Sequence, residues 1–210
     1  MHAMYVKNPT EIEAKSMDII EKYMGDTGFT EEEKKIAKRM IHTTGDVDYR
    51  TIIVFKNNFV EAAKNTLQKG AVIFTDTKMC LTGINKPAFE KTKNELLCLI
   101  DDKDVAESAK KNGTTRSSAA VDEAVKRGAS AFVIGNAPTA LFRLLELYTE
   151  KKVNPEFIIG VPVGFVGAAE SKLALRAAAL PQISTKGTKG GSSVAASVIN
   201  ALLYMLVRRD

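Results

Sequence analysis

A single histidine lies in the interior of the chain, in the segment 39–46 (Arg-Met-Ile-His-Thr-Thr-Gly-Asp), where a helical pattern ends in a polar turn. An imidazole, with an unperturbed pKa of about 6.5, can give or take a proton near neutral pH. Arg39 lies three positions before His42, so a cation and a proton carrier share one helix face. His42 is therefore either an acid–base centre or a residue that satisfies the last carbonyls of its helix. His2 lies among the first residues, where substitutions are generally tolerated, and is set aside.

Other polar side chains could serve this histidine or a bound ligand. Ser16 falls in the apolar stripe of a predicted helix, four residues after Ile12 and four before Ile20. Its hydroxyl either bonds the carbonyl one turn earlier or faces a ligand. Asp46 and Asp48 either form the turn after the histidine or orient its imidazole.

Glycine-rich turns supply a third set of candidates. Backbone amides in such turns bind carboxylates and phosphates, and Arg116, Lys186 and Lys189 add positive charge, although each lysine could simply be solvated. The turn 160–167 does not have the spacing of a dinucleotide fingerprint, and the turn 187–192 lacks the ending of a phosphate loop. We therefore expect neither a nicotinamide nor a nucleotide cofactor. No GxSxG segment supports a Ser-His-Asp triad.

Short apolar runs separated by helical patterns position these residues. The runs cover residues 51–55, 71–75, 96–100, 131–134, 157–161 and 182–185. Most are continuously apolar, which is typical of parallel strands covered on both faces. This pattern predicts a doubly wound α/β fold whose ligand site lies beyond the carboxyl ends of the strands, where the glycine-rich turns fall.

Two helices are predicted to precede the sheet. Thr10 with Glu13 and Thr30 with Glu33 have the spacing of a capping box, in which two helix-terminal amides are satisfied reciprocally. We expect the first helix to run to about Met24 and the second to continue through Ile41.

The overall composition favours a small acidic ligand. The chain has 210 residues, enough for one core, and we predict a single domain over residues 1–210. Its net charge of +5 is dispersed along the chain, which argues for an anionic small molecule and against a nucleic acid. Cys80 and Cys98 form no zinc-binding pattern, so we predict two reduced thiols in the core and no metal site.

Neither a membrane span nor a secretory signal is predicted. The longest apolar tract, residues 194–207, is shorter than the roughly 20 residues that a bilayer requires and is predicted to be a buried helix. The first residues carry no basic segment followed by a long apolar run, so we expect a cytoplasmic protein.

Several short segments, in order along the chain, form a pattern that none of them forms alone. They are Ile12–Ser16, Arg39–Asp46, Thr75–Met79, Thr115–Ala120, Gly135–Leu141, Gly160–Gly167 with Glu170–Lys172, and Lys189–Ser192 with Asn200–Leu202. Together they resemble the precorrin-8X methylmutase family of cobalamin biosynthesis. The resemblance extends from the first predicted helix to the last.

The resemblance implies a flavodoxin-like α/β fold, a homodimer with its active site near the subunit interface, and no cofactor. The implied reaction moves a methyl group from carbon 11 to carbon 12 of precorrin-8 or cobalt-precorrin-8, giving hydrogenobyrinic or cobyrinic acid. The family's catalytic histidine falls on His42, its substrate-contacting serine and arginine fall on Ser16 and Arg39, and a further arginine near the substrate falls on Arg116. A corrinoid carrier without catalytic activity is the alternative.

Overall fold

The computed structural model describes residues 6–208 and is built around a six-stranded sheet. The strands are β1 (Ile53–Lys56), β2 (Val72–Thr75), β3 (Glu95–Leu97), β4 (Ala129–Ile134), β5 (Phe157–Gly160) and β6 (Gln182–Thr185). Their order across the sheet is β1-β6-β5-β4-β2-β3. Strand β1 pairs with β6 in the antiparallel sense, and the other pairings are parallel. Strands β2 to β6 thus have the 2-1-3-4-5 order of a flavodoxin-like sheet.

Helices cover both faces of this sheet. They are α1 (Pro9–Met24), α2 (Glu31–Thr44), α3 (Tyr49–Ile52), α4 (Phe59–Lys69), α5 (Lys78–Gly83), α6 (Lys86–Phe89), α7 (Lys103–Lys111), α8 (Arg116–Lys126), α9 (Pro138–Thr149), α10 (Ala168–Ala177) and α11 (Ser192–Leu206). Helices α2, α4 and α11 pack into the core on one face, and α7 to α10 pack on the other. The predicted doubly wound α/β fold is confirmed.

Burial on both faces explains the continuous apolar runs. Successive strand residues point to opposite sides of a sheet, so a strand covered on both sides needs apolar residues at every position. Phe132 and Val133 in β4 are both fully buried, but they belong to the cores on opposite faces.

The first helix begins differently from the prediction. Asn8, not Thr10, caps α1: its side-chain oxygen accepts the amides of Thr10 at 2.9 Å and Glu11 at 3.4 Å. The predicted capping box at Thr10 is therefore wrong. Asn8 precedes Pro9, whose fixed φ and missing amide suit the first helical position, so the helix starts two residues earlier than a cap at Thr10 would give.

The second helix has the predicted start and a later end. Thr30 accepts the amide of Glu33 at 3.3 Å, and the Glu33 carboxylate accepts the Thr30 amide at 2.8 Å. The helix continues past Ile41 to Thr44 and ends at Gly45, whose φ of 67° is left-handed. This extension keeps His42 inside the last turn.

The region before β1 also differs from the prediction. Residues 51 and 52, expected to be extended, belong to the short helix α3, and the strand begins at Ile53. The short helices α5 and α6 were not predicted either. Among residues 6–208, no helix combines the length and the apolar character that a membrane crossing requires; α11 is instead buried in the core.

Candidate active site

His42 presents an exposed imidazole in the last turn of α2. Two carbonyls near this helix end have donors other than His42, because the Thr44 hydroxyl donates to Met40 at 2.9 Å and the Gly45 amide donates to Ile41 at 2.8 Å. Within residues 6–208, the imidazole makes no hydrogen bond or ion pair. The imidazole is thus not hydrogen-bonded to the last carbonyls of its helix, and its acid–base role stays a prediction.

The two aspartates after α2 form the turn and do not orient the imidazole. One carboxylate oxygen of Asp46 accepts the Asp48 amide at 2.9 Å, and the other accepts the Lys189 ammonium at 2.5 Å. The hydrogen bond from Lys189 and that from the Asp48 amide lower the pKa of Asp46. Lys189 is thus the ion-pair partner of Asp46. The sequence did not predict this pair, because its two residues lie 143 positions apart.

Lys189 belongs to the β6–α11 loop, defined here as residues 186–191, which packs closely against the end of β5. The Gly191 amide donates to the Val161 carbonyl at 2.9 Å. A Cβ atom on Gly190 would lie 2.1 Å from the same carbonyl oxygen, so this position requires glycine. The Gly164 amide donates to the Thr188 carbonyl at 3.1 Å. The two predicted glycine-rich turns therefore meet in one structure.

The β5–α10 loop, residues 161–167, carries two strongly exposed apolar side chains. Phe165 is 93% exposed and Val166 is 90% exposed. Large apolar residues in this position mark surfaces that contact a ligand or another molecule. The segment is part of the family pattern in the sequence, but neither residue was assigned a role. Two bulky apolar residues between glycines, in a turn after a buried strand, could have indicated one.

A buried carboxylate occupies the point at which the strand order reverses, between β2 and β4. Asp76 accepts the amides of Gly135 at 3.0 Å, Asn136 at 2.8 Å and Ala137 at 2.8 Å. Burial raises the pKa of Asp76, although the three amide hydrogen bonds oppose that shift. In flavodoxin-like folds, ligands bind at this reversal point. Here the amides that precede α9 are already occupied by a carboxylate of the protein.

Arg39 and Ser16 make contacts within the protein. The Arg39 guanidinium lies 2.5 Å from the Glu13 carboxylate and 5.2 Å from the centre of the Tyr204 ring. It lines a groove of about 570 Å³ between α1, α2 and α11. The Ser16 hydroxyl donates to the Ile12 carbonyl at 2.8 Å, which is the first of the two interpretations given for it.

Arg116 is separated from the other predicted site residues. It is the first residue of α8 and is exposed, beside a shallow hollow lined by Glu107 and Lys110. Helix α8 packs with α7 and α9, on the opposite face of the sheet from α2. The structure thus places Arg39 and His42 one turn apart on α2 and Ser16 on the adjoining α1, but it does not bring Arg116 to them.

A family model described as precorrin-8X methylmutase matches residues 11–205 of the chain. The chain belongs to the precorrin-8X methylmutase family. It is similar to the cobalt-precorrin-8 methylmutase of Salmonella typhimurium, with 45% identity over 96% of this chain and 98% of the relative. It is also similar to the precorrin-8X methylmutase of a Sinorhizobium species, with 38% identity over 94% of this chain and 96% of the relative.

A solved structure of the precorrin-8x methyl mutase from Thermus thermophilus has the same fold. It matches with a TM-score of 0.84 and 34% identity, covering 92% of this chain and 96% of that one. The predicted family and its flavodoxin-like architecture are therefore both confirmed.

The range matched by the precorrin-8X methylmutase model includes every residue to which the resemblance gave a role, namely Ser16, Arg39, His42 and Arg116. A match of whole chains does not test the role of one side chain, so these four assignments stay predictions. His2 lies outside the described residues. Cys80 and Cys98 are both free thiols; Cys80 is buried in the core as predicted, whereas Cys98 is only half-buried. Burial raises the pKa of the Cys80 thiol far above its ordinary range, which makes it unreactive.

Proposed function

We propose that this chain is a methylmutase that moves a methyl group from carbon 11 to carbon 12 of precorrin-8 or cobalt-precorrin-8, giving hydrogenobyrinic or cobyrinic acid. Membership of the precorrin-8X methylmutase family supports this reaction, as do relatives that carry both names. The observation that carries the proposal is the exposed imidazole of His42, which lies just before the turn that the Lys189–Asp46 ion pair attaches to the glycine-rich loops.

The reaction needs little beyond a proton carrier. The methyl group leaves one ring carbon and bonds to its neighbour, so substrate and product are isomers and no group is supplied from outside. A proton that His42 gives to the ring before migration must return to it afterwards, so the same imidazole acts as acid and then as base. A site closed to water would favour the rearrangement over side reactions.

Exposed apolar side chains would suit a flat macrocycle with acidic arms. Phe165 and Val166 offer apolar surface to the ring. Lys189 is already paired with Asp46 and Asp48, so an acidic arm would have to share it with these carboxylates. For Arg39 to bind a substrate carboxylate, that carboxylate has to share or replace the interaction with Glu13. Ser16 would likewise turn its hydroxyl from the Ile12 carbonyl to the ligand.

A homodimer would explain one feature of the surface. Ile12, Ile19 and Tyr23 form an apolar stripe on α1, and they are 43%, 47% and 51% exposed. Ser16 lies within this stripe, so a second copy packed there would put Ser16 in the interface. Packing through this stripe would not by itself bring Arg116 to the substrate, since α8 and α2 lie on opposite faces of the sheet.

We also propose that the reaction uses no cofactor and takes place in the cytoplasm. An internal rearrangement requires no redox partner, and Asp76 fills the amides at the strand-order reversal that would otherwise suit a phosphate. Cobalt, where present, belongs to the substrate.

Replacing His42 by alanine tests the proposed role directly. We expect His42→Ala to bind precorrin-8, measured by the shift of its visible spectrum, but to convert it at least about a hundredfold more slowly than wild type, the lower range for loss of an acid–base group. His2→Ala removes the other histidine and serves as the matched control, with activity unchanged. Conversion by His42→Ala at the wild-type rate would contradict the assignment. Binding without any conversion by wild type would instead indicate a corrinoid carrier.

A further inference from the structure

Lys172 is a fully buried lysine to which no role has been assigned. It lies on α10, where its ammonium donates to the Lys189 carbonyl at 2.8 Å and to the Thr185 hydroxyl at 3.1 Å. Among residues 6–208, no carboxylate forms an ion pair with it, and the nearby charge of Arg176 is repulsive. A buried ammonium without a counter-ion costs stability, and an apolar residue would not carry this cost. The cost suggests a role other than holding the core together.

The carbonyl that Lys172 binds belongs to the loop that connects the parts of the site. The Lys189 side chain pairs with Asp46, four residues after His42. The neighbouring Thr188 carbonyl accepts the amide of Gly164, next to Phe165. Displacement of the β6–α11 loop would therefore move both the turn after His42 and the exposed β5–α10 loop.

Thr185 completes this arrangement from β6. Its hydroxyl accepts from Lys172 and donates to the Lys189 carbonyl at 2.6 Å, so two donors converge on one carbonyl oxygen. If Lys172 is lost, the carbonyl keeps the Thr185 hydroxyl as a partner. A substitution at Lys172 thus weakens the attachment of the loop without leaving a buried acceptor unsatisfied.

We propose that Lys172 is a positioning residue. Its ammonium holds the β6–α11 loop, and this loop keeps the turn after His42 and the β5–α10 loop at the separation that the substrate needs. The catalytic part of this inference rests on the proposed function. The bracing of the loop does not, because it concerns the protein without substrate.

The titration of Lys172 gives this role a pH dependence. Burial, with a smaller contribution from the charge of Arg176, lowers the pKa of Lys172 to about 8. The groups that face it are the Thr185 hydroxyl from β6, the Lys189 carbonyl from the loop and Arg176 from its own helix. Because a neutral amine is a weaker donor than an ammonium, the loop should loosen as the pH rises through about 8.

Amide hydrogen exchange measures the bracing without substrate. We expect residues 186–192 to exchange at least about fivefold faster in Lys172→Met than in wild type at pH 7, while helix α9 keeps its protection. Lys126→Met, which removes an exposed lysine on α8, is the matched control and should match wild type. Thr185→Val tests the second donor and should act in the same direction. In wild type alone, loop protection corrected for intrinsic exchange should fall between pH 7 and 9.

Two outcomes would overturn the bracing role. One is unchanged exchange of residues 186–192 in Lys172→Met. The other is a loss of protection spread equally over α9 and the loop, as a purely structural defect would give.

Turnover assays test the catalytic part. We expect kcat of Lys172→Met to fall about tenfold while KM stays within about threefold of wild type, the signature of impaired positioning. An unchanged kcat would overturn the catalytic part. If wild type converts no precorrin-8, the proposed function fails, while the exchange result still decides whether Lys172 holds the loop.

Discussion

The ammonium of Lys189 lies 2.5 Å from the carboxylate of Asp46, joining the loop after the last strand to the turn that follows His42. A second carboxylate, that of Asp48, lies 3.6 Å from the same ammonium. The turn after His42 is thus attached to the β6–α11 loop by a contact outside helix α2. If His42 is the proton carrier, as proposed, this attachment would keep it at a fixed separation from the glycine-rich loops.

Breaking this ion pair should impair the reaction more than it impairs folding. We expect Asp46→Asn and Lys189→Met each to lower kcat/KM by about tenfold, and the double variant to be little worse, because both changes remove one interaction. Since the pair is largely exposed, the melting temperature should change by less than about 2 °C. Steady-state kinetics and thermal denaturation provide the test, with Lys152→Met, which breaks the exposed pair with Glu150, as control. Additive losses in the double variant would show that the two residues act independently.

Replacing Phe165 by serine should weaken substrate binding. The side chain is 93% exposed, so its removal costs little packing, but the macrocycle would lose an apolar contact. We expect KM to rise by about fivefold to fiftyfold, with the melting temperature unchanged. Leu173→Ser is the matched control, because Leu173 is also exposed, at 63%, but lies outside the loop. Equal effects of the two substitutions on KM would argue against a substrate contact at Phe165.

Stability should rise with pH because of Lys172. Its pKa is about 8 in the folded chain against 10.5 for an ordinary lysine, so between these values the unfolded chain binds more protons. The free energy of unfolding therefore increases with pH in this window relative to a variant without the lysine. Urea denaturation of wild type and Lys172→Met at pH 8 and pH 9.5 measures the difference. A parallel pH dependence in the two proteins would show that Lys172 titrates normally.

The titration of Tyr49 does not interfere with this comparison. Burial raises the pKa of Tyr49 above 10.0, so this tyrosine affects stability only at a pH above the range used for Lys172.

Placing a charge in the apolar stripe of α1 should disrupt a dimer. We expect wild type to have twice the monomer mass by light scattering at micromolar concentration and Ile19→Asp to shift toward the monomer, since a buried unpaired carboxylate is unfavourable. Lys111→Asp on α7, a charge change on another surface, should leave the mass unchanged. A wild-type mass of one chain would contradict the proposed homodimer.

Interactions that are local in sequence were predictable in this chain. Strands β2, β4 and β5 were identified because burial on both faces leaves an uninterrupted apolar run. The start of α2 was identified because Thr30 and Glu33 satisfy each other's backbone amides. Thr10 and Glu13 have the same spacing, yet the stronger cap formed by Asn8 before Pro9 prevailed. Local pattern alone could not distinguish the two cases.

Contacts between distant segments could not be predicted in this way. Lys172 occurs in a helix that also carries exposed residues, and nothing in the neighbouring sequence indicates that its ammonium is buried against the Lys189 carbonyl. The interaction of Asp76 with the amides at 135–137 likewise depends on the pairing of β2 with β4. For the candidate site, motif resemblance selected residues, whereas their actual partners required the three-dimensional structure.

Above all, we propose that this chain rearranges precorrin-8 without an added cofactor. The most direct measurement is the absorbance spectrum of precorrin-8, metal-free and cobalt-loaded in turn, during incubation with the purified wild-type protein. We predict that at least one of the two forms converts to the spectrum of hydrogenobyrinic or cobyrinic acid, with no added cofactor. Spectra of both forms that stay those of bound, unconverted precorrin-8 would contradict the claim.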